Sequence, residues 1–375
     1  MVEGGFVTER IKVLQVLGMS AGGIAAHVAR ITEELNRNGS FEVDVAAPPD
    51  LPGEMPAAVW PLRIPEGPLG HRRAVNAVVR LATGGGYGVI HAHGLRAGID
   101  SARAGKRARI PVVTTVHNLV QPEIAGALKA RAYRLAEPLV AKLSDRTLAV
   151  SEEIAARLRS AAPSRAESIE VLHLGVGEAP VLTTSRDDVR AAIGLMPHDL
   201  LVLTVARLSP QKALHVMLDA VGRLPDNVHL AILGEGPLEA DLRTMAAAAG
   251  LSDRVHFLGF RSDVADHLAA ADVYALSSIW EGVPLSAQEA ILLGVPVVAT
   301  SVGGMPELIE DGVSGRLVPR DDPKALAAAL TQVLDDRGAA ERYAAAALVA
   351  LEVNFSTARM FERLSEIYTE LTHEA

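Results

Sequence analysis

The chain has 375 residues, 49% hydrophobic and 22% charged, enough material for two cores of ordinary size and unlike a disordered or low-complexity protein. Cysteine is absent, which excludes disulfides and thiolate metal centres. The net charge of −9 is uneven, with 21 Lys and Arg against 18 Asp and Glu in residues 1–180 and 15 against 27 in residues 181–375; aromatics are only 3%, so the basic, aromatic-studded track that nucleic acid requires is missing.

The N-terminal stretch MVEGGFVTERIKVLQVLG carries acids early, and Gln15 interrupts its apolar run, unlike a secretory signal. No stretch approaches the roughly 18 apolar residues of a membrane span. A cytoplasmic protein is expected.

Short apolar, β-branched runs alternate with helical patterns, the signature of βαβ units and parallel sheets. In the first half the strands read 11–17, 41–47, 87–93, 111–117, 146–151 and 169–175. After a looser stretch at 176–188 they resume at 199–208, 228–236, 254–260, 272–278 and 295–301. The expected fold is α/β: two doubly wound Rossmann-like domains facing a cleft, spanning 1–178 and 179–354. The helical pattern at 355–375 is placed to cross back onto the first domain.

Ligands of open parallel sheets bind beyond the carboxyl ends of the strands, so chemistry is sought in the loops that follow them. The first, GMSAGGIAAH, holds Gly22 and Gly23, where backbone can approach a ligand; a tight βα turn would need glycine equally. It lacks the G-x-G-x-x-G pattern, which disfavours a nicotinamide dehydrogenase. His91 and His93 in VIHAHG mimic a metal pair, but no D-x-D occurs in the chain and no metal is assigned. His117 ends the strand in VVTTVHNL; by itself such a histidine reads as a structural residue. The segments 71–82 and 128–146 read as basic amphipathic helices, either ordinary Arg-faced surface helices or weak, peripheral contacts with the inner face of an anionic membrane.

In the second half, LTVARLSPQKALHVML sets Arg207 past a strand, Ser209 as N-cap, Pro210 at the first helical position and Lys212 in the first turn. Two cations at a helix N-terminus can clamp a diphosphate, or form a solvated basic pair. WEGVPLSAQEA sets Glu281 ahead of Pro284 and Glu289 about one and a half turns into a helix, with N–H groups between them. Hydroxyls at either end and anionic charge in the middle is the layout of a nucleoside diphosphate sugar, and carboxylates accept from hydroxyls. Acids near a helix start also complement its dipole, but Glu281 precedes the helix. SVGGMPELIEDGVSGRLVP adds the turn glycines Gly303 and Gly304.

ARLSPQK paired with EGVPLSAQEA and followed by GVPVVATSVGGMPELIEDGVSGRLV resembles the retaining family-4 glycosyltransferases of the GT-B fold, over nearly the whole chain. The E-x7-E, R-x4-K and GG-x-P-E combination is specific; the N-terminal GG and TVHN match more weakly. The resemblance implies an acceptor-binding domain (1–178) and a donor domain (179–354). It implies that Arg207 and Lys212 bind the diphosphate, Glu281 the hexose, Glu289 the ribose, and that Phe260 and Arg261 lie by the base. Gly22, Gly23, Gly234, Gly282, Val283, Pro284 and Leu285 complete the donor site, and His117 hydrogen-bonds the hexose. On this basis His117, Glu281, Arg207 and Lys212 are the candidate catalytic residues. No cofactor is implied: the nucleotide sugar is a substrate, and the acceptor is a hydroxyl of a small or lipid-linked molecule. A sugar phosphorylase or nucleotide-sugar epimerase on this fold, and a non-catalytic two-domain sugar-binding protein, are the alternatives.

Overall fold

A computed structural model describes residues 10–19, 23–51, 55–65, 67, 69–119 and 127–374. It divides into two compact units, one of residues 1–174 with 357–375 and one of residues 175–356.

The first unit is built on an all-parallel sheet of β1 (Ile11–Leu17), β2 (Phe41–Ala47), β3 (Val59–Pro61), β4 (Val89–His93), β5 (Val112–Val116), β6 (Arg146–Ala149) and β7 (Ile169–Val171), in the order 3-2-1-4-5-6-7. Strand alternation sends Leu14, Val16, Ile90 and Ala92 to one face, where the helices His71–Gly84 and Leu95–Ala108 supply Val75, Val78 and Ala102. The opposite face carries Val13, Val43, Val89 and Val113 under the helices Gly23–Asn38 and Thr357–Glu374. From the latter, Met360, Leu364, Ile367, Tyr368 and Leu371 are buried; a large apolar side chain so placed contributes about 1.5–3 kcal/mol.

The second unit repeats the plan with β8 (Leu200–Val205), β9 (Val228–Leu233), β10 (Val255–Gly259), β11 (Val273–Leu276), β12 (Val297–Thr300) and β13 (Arg316–Val318), in the order 10-9-8-11-12-13. Leu201, Leu203, Ala231 and Tyr274 pack on one face; Val202, Leu230, Ile232 and Val273 pack on the other. In both sheets the order reverses beside the first strand, between β1 and β4 and between β8 and β11. At such a switch point successive crossovers leave in opposite directions and open a crevice at the strand ends.

The sequence reading missed β3 and β13, each only three residues long and therefore too short for alternation to show. It also extended the strand at 169–175 too far: ladder pairing stops at Val171.

Candidate functional site

The switch point of the second unit gathers the cationic and acidic candidates on two loops. Residues 206–213 leave β8, and residues 277–284 leave β11. The loops are tied by one backbone and two side-chain hydrogen bonds: Ile279 N–H donates to the Gln211 carbonyl at 2.8 Å, Gln211 Nε2 donates to the Trp280 carbonyl at 2.9 Å, and Ser277 Oγ donates to the Lys212 carbonyl at 2.9 Å. The expected helix after Ser209 is in fact broken. Pro210–Lys212 form one 3-10 turn, Ala213 takes a left-handed φ of 43°, and a new helix runs from Leu214 to Val221. Lys212 therefore ends a turn instead of lying within a helix's first turn, and Ser209 makes no side-chain cap.

That break aims Lys212 at Glu281, with Nζ 2.6 Å from Oε1. The carboxylate is buried and also accepts from Ser278 Oγ. Arg207, by contrast, is exposed, and its guanidinium has no hydrogen bond or ion pair among the described residues. Of the two cations read as a pair, one is already matched and one is unmatched.

Pro284 is the N-cap of the helix Leu285–Leu292. The first-turn N–H groups of this helix have no intrahelical acceptor, and Glu281 and Gly282 precede them. Glu289 lies half-buried in the helix's second turn. In the first turn of the same helix Ser286 Oγ meets the Tyr274 hydroxyl at 2.7 Å, and burial raises the Tyr274 pKa strongly, keeping the phenol neutral.

Two glycines shape this switch point. Gly303 has a φ of 59°, and a Cβ there would stand 1.6 Å from the Glu281 carbonyl oxygen; Gly304 N–H donates to the Gly282 carbonyl at 2.7 Å. The loop after β12 thus braces the backbone that carries Glu281. Gly234, at φ 124° after β9, lies against residue 206, where a Cβ would come within 2.2 Å of the Ala206 carbonyl oxygen. Phe260 follows β10 and is 78% exposed, while Arg261 is paired with Asp263 at 2.8 Å.

In the first unit Gly22 lies outside the described residues, and Gly23 opens the helix Gly23–Asn38. His117 follows β5 directly and is only 6% exposed. It joins a buried polar network that the sequence reading did not assemble. His93 Nδ1 lies 3.0 Å from His117 Nε2, His93 Nε2 lies 2.7 Å from Gln15 Oε1, and Gln15 Nε2 donates to the Tyr368 hydroxyl. Tyr368 meets His91 Nδ1 at 2.6 Å, and His91 Nε2 meets Thr115 Oγ1 at 2.7 Å. The His27 ring lies edge-on to His117 at 5.5 Å. Burial pushes His91 and His117 down to about 3 and lowers His27 and His93 as well, so the rings are neutral at pH 7. A signal was present: Gln15, His91 and His93 occupy one face of adjacent parallel strands that otherwise read as apolar, with Gln15 in register with His91.

Among the described residues no cluster of three or more His, Asp or Glu could hold a metal ion, and no helix is long and apolar enough to cross a membrane.

Both units match known protein families. Residues 185–348 match the family model "Glycosyl transferases group 1", and residues 21–178 match "Glycosyltransferase Family 4". HepE of Anabaena, solved with UDP and glucose, superposes with a TM-score of 0.82 at 25% identity, covering 96% of this chain and 100% of that one. Sucrose-phosphate synthase of Thermosynechococcus elongatus shares the fold with a TM-score of 0.84 at 23% identity, covering 98% and 100%. Two all-parallel sheets of this strand order, with these likenesses, define a glycosyltransferase of the GT-B fold. The D-inositol 3-phosphate glycosyltransferase of Mycolicibacterium smegmatis is 34% identical over 298 residues, 76% of this chain and 68% of the relative. That of Mycolicibacterium gilvum is 36% identical over 264 residues, 66% of this chain and 59% of the relative; the chain spans about six tenths of the length of several such curated relatives. The chain belongs to the family-4 glycosyltransferases.

Proposed function

We propose that the protein transfers a hexosyl group from a uridine diphosphate sugar to a hydroxyl of a small acceptor, with retention at the anomeric carbon and without a metal ion. The observation that carries this reading is the unmatched Arg207 guanidinium, on the same loop as the Lys212–Glu281 pair and at the switch point where the Leu285–Leu292 helix begins. Departure of a diphosphate develops negative charge, and fixed cations with helix N–H groups stabilise it without a divalent ion. Arg207 and Lys212 take the diphosphate, with Val283, Pro284 and Leu285 framing the helix start. Glu281 and Gly282 meet the hexose, Glu289 the ribose, and Phe260, Arg261 and Gly234 border the nucleotide. His117 hydrogen-bonds a hydroxyl of the transferred sugar. Uridine is favoured by HepE, whose structures hold UDP and UDP-glucose, and a polyol phosphate acceptor by the relatives named for inositol 3-phosphate. Retention rests on the family motifs.

A thermal-shift panel of UDP, GDP and ADP with their sugars tests the donor: a ligand at 100 times its Kd adds about 2.7 kcal/mol. Turnover with inositol phosphate in EDTA, with the anomer read by NMR, tests the rest. Product of inverted configuration, or loss of turnover restored by Mg²⁺, defeats the corresponding part. Sugar 1-phosphate released from a glycoside on addition of inorganic phosphate would signal a phosphorylase, and an altered free donor an epimerase.

A lipid-linked acceptor is the second reading. Leu69 is 86% exposed and Trp60 43% exposed, and Arg63, Arg73 and Arg80 line an adjoining groove of about 370 Å³. Exposed apolar side chains beside cations suit the interface of an anionic membrane. Sedimentation with phosphatidylglycerol vesicles at low salt should pull the protein down, and phosphatidylcholine vesicles should not; no binding to either removes this reading.

A further inference from the structure

The buried network of the first unit has a direction. Gln15 anchors it, because a carboxamide has one donating and one accepting end. Its nitrogen faces the Tyr368 hydroxyl, so that hydroxyl accepts from Gln15 and gives its own proton to His91 Nδ1. His91 then carries its proton on Nε2 and donates to Thr115 Oγ1. At the other end of Gln15, Oε1 can only accept, so His93 is protonated on Nε2 and leaves a lone pair on Nδ1. The atom 3.0 Å from that lone pair is His117 Nε2, which must therefore carry the His117 proton. One nitrogen remains. His117 Nδ1 is buried and has no partner among the described residues.

We infer that Gln15 and His93 are positioning residues that lock His117 as its Nε2–H tautomer, committing Nδ1 to accept a hydrogen bond from a substrate hydroxyl. The inference rests on the proposed role of His117 toward the transferred sugar. A neutral imidazole free to exchange tautomers would offer a sugar hydroxyl a donor part of the time; the relay removes that choice. Burial of the chain of rings keeps protonated, donor-only forms out of reach at neutral pH. Tyr368 sits on the C-terminal helix, so that helix supplies the group that orients Gln15.

Nitrogen-15 NMR of labelled histidines reads the tautomers directly, because protonated and unprotonated ring nitrogens resonate far apart. In the wild type, His93 and His117 should both show Nδ1 unprotonated. Gln15→Met keeps the side-chain volume and removes both hydrogen-bonding ends. It should mix the tautomers and lower kcat by about 10- to 100-fold, the usual effect of removing a partner that orients a working histidine, while the Kd for UDP stays within about 2-fold. Gln15→Glu, an acceptor toward His93, should restore the single tautomer and recover most of the loss. If Gln15→Met does not fold, Tyr368→Phe, which removes only a hydroxyl, should mix the tautomers too. A wild-type His117 protonated on Nδ1, or a variant with mixed tautomers and undiminished kcat, overturns the inference. His117→Ala with undiminished kcat would instead defeat the sugar-binding role of His117 and leave the tautomer assignment intact.

Discussion

Lys212 Nζ stands 2.6 Å from Glu281 Oε1, joining the loop that leaves β8 to the loop that leaves β11. Both side chains are largely shielded, 16% and 6% exposed, and Ser278 adds a second donor to the carboxylate. The pair spans the point where the strand order reverses, adding a charged tie to the hydrogen bonds that already join the two loops.

Breaking one side of such a pair strands a buried charge. Lys212→Met should therefore destabilise the protein by about 3 kcal/mol, measured by urea unfolding, whether or not ligand is present. Replacing Glu281 with Gln in the same chain should recover part of that loss, since no uncompensated carboxylate remains. A single variant as stable as the wild type would show that the pair is solvent-relaxed and structurally idle.

Arg207 is the opposite case, exposed and without a side-chain partner among the described residues. Arg207→Ala should leave unfolding within about 0.5 kcal/mol of wild type while weakening UDP by about 1.5–3 kcal/mol, the range for a hydrogen bond to a charged group. Calorimetry should also separate the two glutamates. Glu289→Ala should weaken UDP and the UDP-sugar alike, whereas Glu281→Gln should mainly weaken the sugar nucleotide. Equal losses for both ligands in Glu281→Gln would move that residue to the nucleotide.

Gly303→Ala should be among the most damaging single-atom additions in the second unit. The new Cβ would overlap the Glu281 carbonyl oxygen at 1.6 Å, and the left-handed φ of 59° disfavours any side chain. The loop must move away and take the backbone under Glu281 with it. A fall in donor turnover together with a lowered Tm is expected; normal values for both would show that the brace is dispensable.

The histidine network makes stability fall on acidification. The folded-state pKa values of His91 and His117 are depressed to about 3, while the unfolded chain takes up protons near 6.5. Full stability is therefore present above pH 6.5 and is lost progressively as pH drops toward 3, by about 1.4 kcal/mol per group per pH unit. Between pH 7.5 and 5.5 these two groups should remove about 2–3 kcal/mol, and His27 and His93 shift in the same direction. Urea titrations at the two pH values check this; equal midpoints would contradict neutral burial of the rings.

The sequence made the strands and switch-point loops of this fold legible because its regularity lies in local patterning. Eleven apolar runs announced their strands, and ARLSPQK with EGVPLSAQEA announced the two loops at the switch point of the second unit. What escaped depended on contacts distant in sequence or on single backbone angles. The left-handed Ala213 that ends the 3-10 turn and aims Lys212 has no local signature, since alanine is a good helix former. Nor could local patterning link His117 through His93 to Gln15 and Tyr368, residues far apart in the chain.

The helix Thr357–Glu374 carries one more consequence. It groups with residues 1–174, so the whole second unit is an insertion in the chain of the first. During synthesis the face of the first sheet formed by Val13, Val43 and Val89 emerges early and waits for Leu364, Ile367 and Tyr368 until the helix Thr357–Glu374 leaves the ribosome. The inserted unit meanwhile has every residue of its own core available. The later-encoded body is thus the first that can be finished, and the earlier one bears an open apolar face for as long as translation of the remainder takes.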